Sequence, residues 1–285
     1  MPPEAKAIMD TVAQLLREGR EQLAAHSPGA DLDARVLRSH VLGRSETWLR
    51  TWPEHCPGEE EAGRYRALLR RRARGCPVAY LTGEREFFGH PFRVSEAVLI
   101  PRPDTELLVE TVLARLPGEG AARVADLGTG SGAVAVSLAL ARPQWTLLAT
   151  DDSDDALELA RANTRALGAG NVSLTRTHWC TDLPGDLDAV VSNPPYVAEG
   201  DPHLKEGDVR FEPRAALTAG PDGLDALRAI VEQAPAHLVP GGLLVLEHGY
   251  DQGEAVRALM HEAGLAAIET LRDLAGHERV TAGCR

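Results

Sequence analysis

From Arg123 onward, short apolar runs alternate with longer amphipathic segments, and this alternation constrains the fold more than any other feature. Short apolar runs between turn signals are typical of buried strands, whereas apolar residues three or four positions apart are typical of helices. Their alternation predicts a parallel sheet with covering helices. We predict strands over residues 123–127, 146–150, 172–175, 187–192, 243–247, 267–271 and 279–282. Helices are predicted over residues 133–141, 155–167, 224–237 and 251–263.

A glycine-rich segment follows the first of these strands. It reads Asp126-Leu127-Gly128-Thr129-Gly130-Ser131-Gly132-Ala133. Glycines at such a place allow the backbone to turn tightly and to approach a ligand closely. The spacing Gly128-x-Gly130-x-x-Ala133 satisfies the dinucleotide fingerprint. Taken alone, the segment is compatible with a dinucleotide or with S-adenosylmethionine.

Acidic residues at the ends of the first two strands help to separate these cofactors. Asp151 closes the second strand, where an acidic side chain binds ribose hydroxyls, but both cofactors carry that ribose. Its neighbours Asp152, Asp154 and Asp155 disfavour the 2′-phosphate of NADP, although the last two also suit a helix N-terminus. Asp126 would repel a pyrophosphate, whereas it would attract the amino and sulfonium groups of S-adenosylmethionine. Asp126 therefore favours S-adenosylmethionine.

A second motif, Asn193-Pro194-Pro195-Tyr196, follows the strand predicted over residues 187–192. Parallel sheets bind ligands at the edge where their strands end. The prolines stiffen the turn and keep Asn193 extended. The Asn193 side-chain oxygen and the Pro194 carbonyl could each accept a hydrogen from a planar NH2 group lying against Tyr196. The alternative is a rigid turn with a buried tyrosine.

The first 83 residues have a different, Leu-, Ala- and Arg-rich helical pattern. Four helices are predicted, the first around an apolar series near the N-terminus and the others over residues 33–42, 47–52 and 58–74. Asp31 or Asp33 could cap the helix over residues 33–42. We interpret residues 1–83 as a small helical domain, which either stabilises the protein or recognises a partner. The first apolar series comprises Ile8, Val12, Leu15, Leu16 and Leu23.

Residues 84–103 are predicted to form a linker that carries a β-hairpin. Two aromatic-rich strands flank a Gly-His-Pro turn at residues 89–91. Residues 104–285 then form the sheet-containing domain. It begins with a helix that Asp104 or Thr105 could cap and that ends near Leu116.

The charge and cysteine pattern excludes several classes of protein. A formal net charge of -12 disfavours binding to long nucleic acid, which relies on Lys and Arg to neutralise phosphates. The basic run Arg70-Arg71-Arg72 with Arg74 is expected to form a solvated helix face. We expect no signal peptide, no membrane span, no metal site and no disulfide framework, and therefore a cytoplasmic protein.

Segments outside these motifs carry a resemblance to a known family. They are Pro77-Val78-Ala79-Tyr80-Leu81-Thr82-Gly83, Leu99-Ile100-Pro101-Arg102-Pro103-Asp104-Thr105-Glu106, Arg210-Phe211-Glu212-Pro213-Arg214-Ala215-Ala216-Leu217, Leu246-Glu247-His248-Gly249 and Glu278-Arg279-Val280. Together with the glycine segment and Asn193-Pro194-Pro195-Tyr196, they resemble the HemK/PrmC family. Its members are N5-glutamine methyltransferases of peptide chain release factors. The resemblance covers essentially the whole chain.

The resemblance implies a class I S-adenosylmethionine-dependent methyltransferase fold, a Rossmann-like α/β fold. Its sheet has seven strands with the last antiparallel, and a small all-α domain precedes it. Cofactor contacts are implied for Asp126, Gly128, Thr129, Gly130, Ser131, Gly132, Asp151, Trp179 and Asn193. Trp179 would hold the adenine, a position where sequence alone equally allows a core aromatic. Some members have an acid just before this tryptophan, where this chain has His178. If that acid contacts the adenine amino group in those members, the contact is changed or lost here.

The implied reaction is methyl transfer to the glutamine of a release factor Gly-Gly-Gln motif. The catalytic residues would be Asn193, Pro194 and Tyr196. Substrate contacts would come from Asn193, Pro194, Pro195, Tyr196 and Arg102, with Arg102 alternatively holding the linker. Glu212 and Arg214 are expected to pair locally, and His248 to be structural.

Four other functions are alternatives to this reading. The first is glutamine methylation of a ribosomal protein, which the residues separate only weakly from the release factor reading. Adenine-N6 methylation of nucleic acid is disfavoured by the acidity of the chain. NAD-dependent oxidoreduction is disfavoured by Asp126 and by Asn193-Pro194-Pro195-Tyr196. A silent binding scaffold is disfavoured by the intact motifs, and the protein is expected to be a monomer that binds release factors.

Overall fold

The computed structural model describes residues 10–285, so Ile8 of the first predicted helix lies outside the described residues. The chain divides into two compact units. One unit runs to Gly83 and also includes Lys205–Phe211, a segment that the sequence analysis assigned to the sheet-containing domain. The other comprises Glu84–Leu204 and Glu212–Arg285, and it includes the predicted hairpin linker.

The first unit is built from helices that pack around a small apolar core. Leu15, Leu37, Leu69 and Tyr65 are buried in this core. The Tyr65 hydroxyl donates to the Ala34 carbonyl at 3.2 Å, so the buried phenol has a hydrogen-bond acceptor. The helices are α1 (Val12–Leu23), α2 (Ala30–Leu42), α3 (Glu46–Thr51), α4 (Glu59–Ala73) and α5 (Val78–Thr82).

Arg72 corrects two sequence-based predictions about the first unit. It is buried rather than part of a solvated helix face. Its guanidinium donates to Asp33 at 2.6 Å and to Asp208 at 2.6 Å. Asp33 therefore pairs with α4 instead of capping α2, whose N-cap residue is Gly29. A buried guanidinium requires such partners because burial of an unpaired charge is unfavourable.

The second unit contains the predicted seven-stranded sheet. After the two hairpin strands β1 (Glu84–Phe87) and β2 (His90–Arg93), its strands are β3 (Arg123–Leu127), β4 (Thr146–Asp151), β5 (Val172–Arg176), β6 (Leu187–Ser192), β7 (Leu238–Glu247), β8 (Ala266–Arg272) and β9 (Glu278–Cys284). Their order in the sheet is β5-β4-β3-β6-β7-β9-β8. The strand pairs from β5 to β7 are parallel, whereas β9 runs antiparallel to both β7 and β8. The expectation of an antiparallel last strand is therefore confirmed.

Apolar layers cover both faces of this sheet. Successive residues of a strand point to opposite faces, and β6 follows this rule. Ala189 and Val191 join one buried cluster, while Val190 joins the other. The helices are α6 (Glu106–Arg115), α7 (Ala133–Ala141), α8 (Asp154–Leu167), α9 (Asp225–Gln233) and α10 (Gly253–Glu262). No helix within residues 10–285 is long and apolar enough to cross a membrane.

The predicted hairpin exists, but its turn lies elsewhere. The strands β1 (Glu84–Phe87) and β2 (His90–Arg93) pair so that Phe87 lies opposite His90. The turn is therefore Phe88-Gly89, with φ of 50° and 74°, and the predicted Gly-His-Pro turn is wrong. Two positive φ values suit a two-residue hairpin loop. Phe87 and Phe92 are buried in the sheet core, which confirms that the hairpin packs against another element.

The segment before α6 does not use the predicted side-chain cap. A short 3-10 turn covers Pro103–Thr105, and α6 starts at Glu106. Thr105 occupies the N-cap position, but its side chain makes no capping hydrogen bond. Its hydroxyl is therefore available for a contact outside the helix.

Candidate active site

A cavity of about 480 Å³ lies where β3, β4 and β6 end. Its volume is in the range of sites for small molecules and cofactors. Asp126 from β3, Asp151 from β4 and Asn193 after β6 all line it, together with Trp179 and Arg102. The structure thus brings these sequence-predicted residues into one cavity, at the sheet edge expected for a parallel α/β fold.

The glycine-rich segment forms one wall of the cavity. Gly128, Thr129, Gly130 and Ser131 line it, whereas Gly132 does not. Gly130 has a φ of 54°, and a Cβ added there would meet no atom within 4 Å. The backbone at Gly130 can therefore be approached closely by a ligand.

Gly132 has a packing role instead of a lining role. It has a φ of 82° and stands at the N-cap of α7. A Cβ added there would lie 3.3 Å from the Ala160 Cβ. Gly132 therefore allows α7 to begin close against α8, which keeps the glycine loop in place.

Asp126 is buried at the base of this loop and lines the cavity. Its Oδ2 accepts the Thr129 hydroxyl at 2.6 Å and the Ala135 backbone N–H at 3.1 Å. Burial raises the pKa of Asp126 to about 7, although both of these donors oppose the shift. The nearby Asp151 carboxylate raises the pKa further. A cation in the cavity would favour the ionised form of Asp126.

Asp151, the last residue of β4, attaches the glycine-rich segment to that strand by a hydrogen bond. Its Oδ2 accepts the Gly130 backbone N–H at 2.9 Å, and its Oδ1 accepts the Ser153 N–H at 3.0 Å. Each carboxylate oxygen has capacity for a second donor. Asp151 can therefore hold the loop and accept from a hydroxyl of a bound molecule at the same time.

Trp179 stands beside the start of the glycine loop. A Cβ added at Gly128 would lie 3.5 Å from the Trp179 Cζ3 atom. Trp179 also packs against the apolar cluster beneath the cavity, so its ring contacts both the core and the ligand space. His178 is exposed, and its Nδ1 lies 3.6 Å from the Asp152 Oδ2. Both His178 and Asp152 line the cavity rim near Trp179.

Asn193 is the polar residue of the second motif that faces the cavity, with Pro195 beside it. Its Nδ2 donates to the Thr105 hydroxyl oxygen at 3.0 Å. Its Oδ1 is buried and has no hydrogen-bond partner within residues 10–285. Buried amide oxygens are normally paired, so this oxygen indicates a place for an external donor.

Pro194 and Tyr196 do not line the cavity. The Tyr196 hydroxyl donates to Glu247 Oε1 at 3.2 Å, and its carbonyl accepts from Gln252 Nε2 at 3.0 Å. Burial and the Glu247 carboxylate raise the pKa of Tyr196, so the phenol stays protonated. Tyr196 therefore holds the turn in place through contacts outside the cavity.

Glu247 is a buried residue that the sequence analysis quoted but gave no role. Burial raises its pKa to about 7, while Thr105, Tyr196 and the positive charge of Arg279 lower it. Glu247 Oε2 has no hydrogen-bond partner in the described part of the chain. An acidic residue at a strand end, on the edge that carries Asn193, is the sequence signal for Glu247.

Glu212 was expected to pair locally with Arg214, but in the structure it pairs with the segment before α6. Its buried carboxylate accepts the Ile100 backbone N–H at 3.1 Å and forms an ion pair with Arg102. Arg102 thus makes the contact expected of a residue that holds the linker, while it also lines the cavity. A contact between Arg102 and substrate stays a prediction.

Asn163 on α8 was missed by the sequence analysis. Its Nδ2 donates to the carbonyls of Ser131 at 2.8 Å and Arg93 at 3.0 Å, and its Oδ1 accepts the Arg93 N–H at 2.8 Å. Asn163 therefore ties the glycine loop to β2. A lone asparagine at a buried helical position was the available signal.

His248 has the structural role that we expected. Its Nδ1 donates to the Gly249 carbonyl at 2.8 Å, and its Nε2 accepts from the Thr281 hydroxyl at 2.8 Å. Burial lowers its pKa, which favours the neutral ring. No group of three His, Cys, Asp or Glu residues within 10–285 is arranged to hold a metal ion.

These residues suit S-adenosylmethionine better than a dinucleotide. Asp126 places a carboxyl where a cation would be stabilised and a pyrophosphate would be repelled. Asp151 offers acceptors for ribose hydroxyls, and Trp179 offers a ring for the adenine. Asn193 also lines the cavity, and its buried Oδ1 has no hydrogen-bond partner among the described residues.

The seven-stranded sheet with its covering helices is that of a class I S-adenosylmethionine-dependent methyltransferase. A methyltransferase structure from Pyrococcus furiosus matches it with a TM-score of 0.51 and 19% identity, over 70% of this chain and 90% of that one. Two family models match, the PrmC N-terminal domain over residues 14–83 and the methyltransferase small domain over residues 103–208.

Curated relatives then define the family. The release factor glutamine methyltransferase of Pseudomonas aeruginosa is 49% identical, over 96% of this chain and 99% of the relative. The Bordetella pertussis protein of the same name is 52% identical, over 88% of this chain and 94% of the relative. This chain belongs to the release factor glutamine methyltransferase family.

Proposed function

We propose that this protein transfers a methyl group from S-adenosylmethionine to the side-chain amide nitrogen (N5) of a glutamine in peptide chain release factors. The observation that carries this proposal is Asn193, which lines the cavity and whose buried Oδ1 has no hydrogen-bond partner in the described part of the chain. The names of the relatives support the choice of release factors, in which the glutamine of the Gly-Gly-Gln motif would be the acceptor.

The cofactor would be held by the glycine loop and its two flanking carboxylates. Gly130 allows close backbone approach, Asp126 would stabilise positive charge, and Asp151 would accept from the ribose. Trp179 would contact the adenine. When bound, S-adenosylmethionine supplies a methyl group on a positively charged sulfur, which leaves as a neutral thioether.

The chain's own contribution to the chemistry is orientation of a weak nucleophile. An amide nitrogen reacts poorly because its lone pair is delocalised into the carbonyl. Asn193, which lines the cavity, would accept one amide hydrogen and direct the nitrogen toward the methyl group. The Pro194 carbonyl would accept the other hydrogen only if the turn moved, because Pro194 does not line the cavity in this structure. Well-oriented reactants can gain roughly 7–11 kcal/mol from positioning. The same acceptors stabilise positive charge that develops on the nitrogen.

The proton balance requires no dedicated base. As the new carbon–nitrogen bond forms, the carbon–sulfur bond breaks and the nitrogen becomes positively charged. One of the two amide hydrogens then leaves as a proton to solvent.

Methyl-labelled S-adenosylmethionine tests the proposal directly. The protein is incubated separately with a release factor, a ribosomal protein, DNA and tRNA, and each product is analysed for label. Label in the release factor alone is expected. Label only in nucleic acid would overturn the glutamine assignment, and label only in the ribosomal protein would transfer it to another substrate.

Asn193→Ala is the matched variant for this assay. Loss of one preorganised hydrogen-bonding group at a reacting centre costs roughly 100-fold or more in kcat. We therefore expect a loss of that order, with cofactor affinity changed much less. Turnover that survives nearly intact would rule out the orienting role of Asn193. Asn193→Asp keeps an acceptor oxygen, so it separates the need for an acceptor from the need for a neutral group.

A further inference from the structure

Arg102 is the only lysine or arginine among the described residues that line the cavity. Three carboxyl groups line the same cavity, those of Asp126, Asp151 and Asp152. S-adenosylmethionine carries two cationic groups, its amino group and its sulfonium, and one anionic group, its α-carboxylate. The aspartates can stabilise the cationic groups but would repel the carboxylate. The carboxylate is therefore best placed beside a cation, and Arg102 supplies a permanent one at the cavity wall.

Glu212 holds the Arg102 guanidinium from outside the cavity. The Glu212 side chain is 0% exposed and does not line the cavity. Its Oε1 accepts a hydrogen bond from Arg102 Nη2, and its Oε2 accepts the Ile100 backbone N–H at 3.1 Å. A carboxylate that is this deeply buried needs such partners. Because Ile100 lies two residues before Arg102, one carboxylate attaches both ends of this short segment and fixes where the guanidinium lies.

The Arg102 guanidinium uses only part of its donor capacity in this contact. A guanidinium has five N–H donors, and Arg102 makes no hydrogen bond other than that to Glu212 within residues 10–285. Its side chain is 34% exposed and lines the cavity. The remaining donors are therefore accessible to a bound molecule, and their forked arrangement matches the two oxygens of a carboxylate.

We propose that Arg102 binds the α-carboxylate of S-adenosylmethionine and that Glu212 is a positioning residue, which holds the guanidinium in place for this contact. The inference rests on the proposed function of the same cavity. It assigns Arg102 to the cofactor instead of to the substrate, where the resemblance implied a contact. The substrate amide is neutral, and hydrogen bonds that involve ionised groups are roughly twice as strong as neutral ones. With Asp126 beside the cationic groups, the site then matches both charges at the amino-acid end of the cofactor.

Decarboxylated S-adenosylmethionine tests this contact, because it lacks only the α-carboxylate. Calorimetry without a methyl acceptor measures the affinity of the protein for each compound. The wild type should bind S-adenosylmethionine roughly 10- to 100-fold more tightly than the decarboxylated compound, the range for a hydrogen bond to a charged group. Arg102→Met keeps a long side chain and loses the guanidinium. It should lose this preference, while its affinity for the decarboxylated compound stays that of the wild type.

Two control substitutions separate this contact from other effects on binding. Asp126→Asn should weaken the binding of both compounds, because both carry the cationic groups, and should leave their affinity ratio unchanged. Arg85→Met removes a guanidinium from an exposed position outside the cavity, so it should change neither affinity. Arg102→Met that binds both compounds as the wild type does would overturn the inference. Equal weakening of both compounds by Arg102→Met would indicate a structural role and would also overturn it.

Arg102→Lys serves in case methionine disturbs the fold, because lysine can still pair with the buried Glu212. It keeps the charge and loses the forked donors, so its affinity ratio should fall below that of the wild type. Urea unfolding shows whether each variant is folded at the temperature of the measurement. A folded Arg102→Lys variant with the affinity ratio of the wild type would contradict recognition by the guanidinium.

Glu212→Gln tests the positioning role, because it keeps an acceptor oxygen and removes the ion pair. It should reduce the affinity ratio in the wild-type background. It should have no further effect on the ratio in the Arg102→Met background, since residues that act through one contact are not additive. A reduction of equal size in both backgrounds would show that Glu212 acts independently of Arg102, and would overturn its positioning role.

Failure of the inference is distinguishable from failure of the proposed function. A wild type that binds neither compound would overturn the proposed function, whereas one that binds both equally well would overturn only the inference. A third outcome is that Arg102→Met leaves both affinities intact and raises the KM for release factor. Arg102 would then belong to the substrate site, and the assignment to the cofactor would be wrong.

Discussion

Replacing Glu247 with glutamine should raise the free energy of unfolding at neutral and alkaline pH. The buried carboxyl has a pKa of about 7, against an ordinary value of 4.5. This difference corresponds to roughly 3 kcal/mol of unfolding free energy. Glutamine keeps an oxygen that can accept from the Tyr196 hydroxyl, so the change removes the buried charge with little loss of packing.

The sign follows from proton binding by Glu247 in the two states. Below pH 4.5 the carboxyl is protonated both in the folded and in the unfolded chain, and ionisation costs nothing. Between pH 4.5 and about 7 the unfolded chain is ionised while the folded one stays neutral, so the wild type loses stability as the pH rises. Above pH 7 the full penalty is present. The advantage of Glu247→Gln should therefore grow from near zero at pH 4.5 to roughly 3 kcal/mol at pH 8.

Urea unfolding at several pH values measures this difference. Asp126 titrates in both proteins, so its contribution cancels when the two are compared. Glu254→Gln, at an exposed position on α10, is the control and should show no pH-dependent advantage. A Glu247→Gln advantage that stays constant between pH 5 and 8 would refute the argument that burial raises the pKa of this carboxyl.

Two further substitutions test contacts that the structure reveals. Asn163→Ala should lower the free energy of unfolding by roughly 2–3 kcal/mol, because the buried carbonyl of Ser131 and the backbone groups of Arg93 lose their partner. It should also weaken cofactor binding, measurable by calorimetry, whereas unchanged stability would contradict the tie between loop and hairpin. Arg72→Met should cost roughly 3 kcal/mol in urea unfolding, because it leaves the carboxylate of Asp33 without its cation. Equal losses in Arg72→Met and in the exposed control Arg74→Met would contradict a specific buried pair.

The sheet was predictable because its signals are local. Each buried strand is a short apolar run, and polar or glycine residues mark its ends, so the predicted strands match the observed ones apart from a few terminal residues. The largest difference between a predicted and an observed strand end is at the start of β7, which was predicted at residue 243 and lies at Leu238. Pro240, Gly241 and Gly242 interrupt the apolar pattern and suggested a turn there instead.

Other features depended on neighbours that are distant in sequence. The Phe88-Gly89 turn was missed because an aromatic residue at positive φ has no strong local signal. Asp33 was taken as a helix cap because its partner Arg72 is far away along the chain. Glu212 likewise pairs with Arg102 rather than with nearby Arg214.

The site was predictable at the level of residue types but not of their network. Asp126, Asp151 and Asn193 follow strands that are neighbours in the sheet, so their convergence followed from the fold. The partner of the Asn193 amide could not be predicted, because Asn193 and the Thr105 hydroxyl are far apart in sequence and meet only in three dimensions. Sequence reasoning assigned Thr105 a capping role that its side chain does not have.

The position of the transferred methyl group tests the central claim most directly. Release factor methylated by the wild-type protein is digested, and the modified peptide is fragmented in a tandem mass spectrometer. The account predicts one added methyl group on the side-chain nitrogen of a glutamine, and its loss with Asn193→Ala. A methyl group on any other atom, or one that forms equally well with Asn193→Ala, would contradict it.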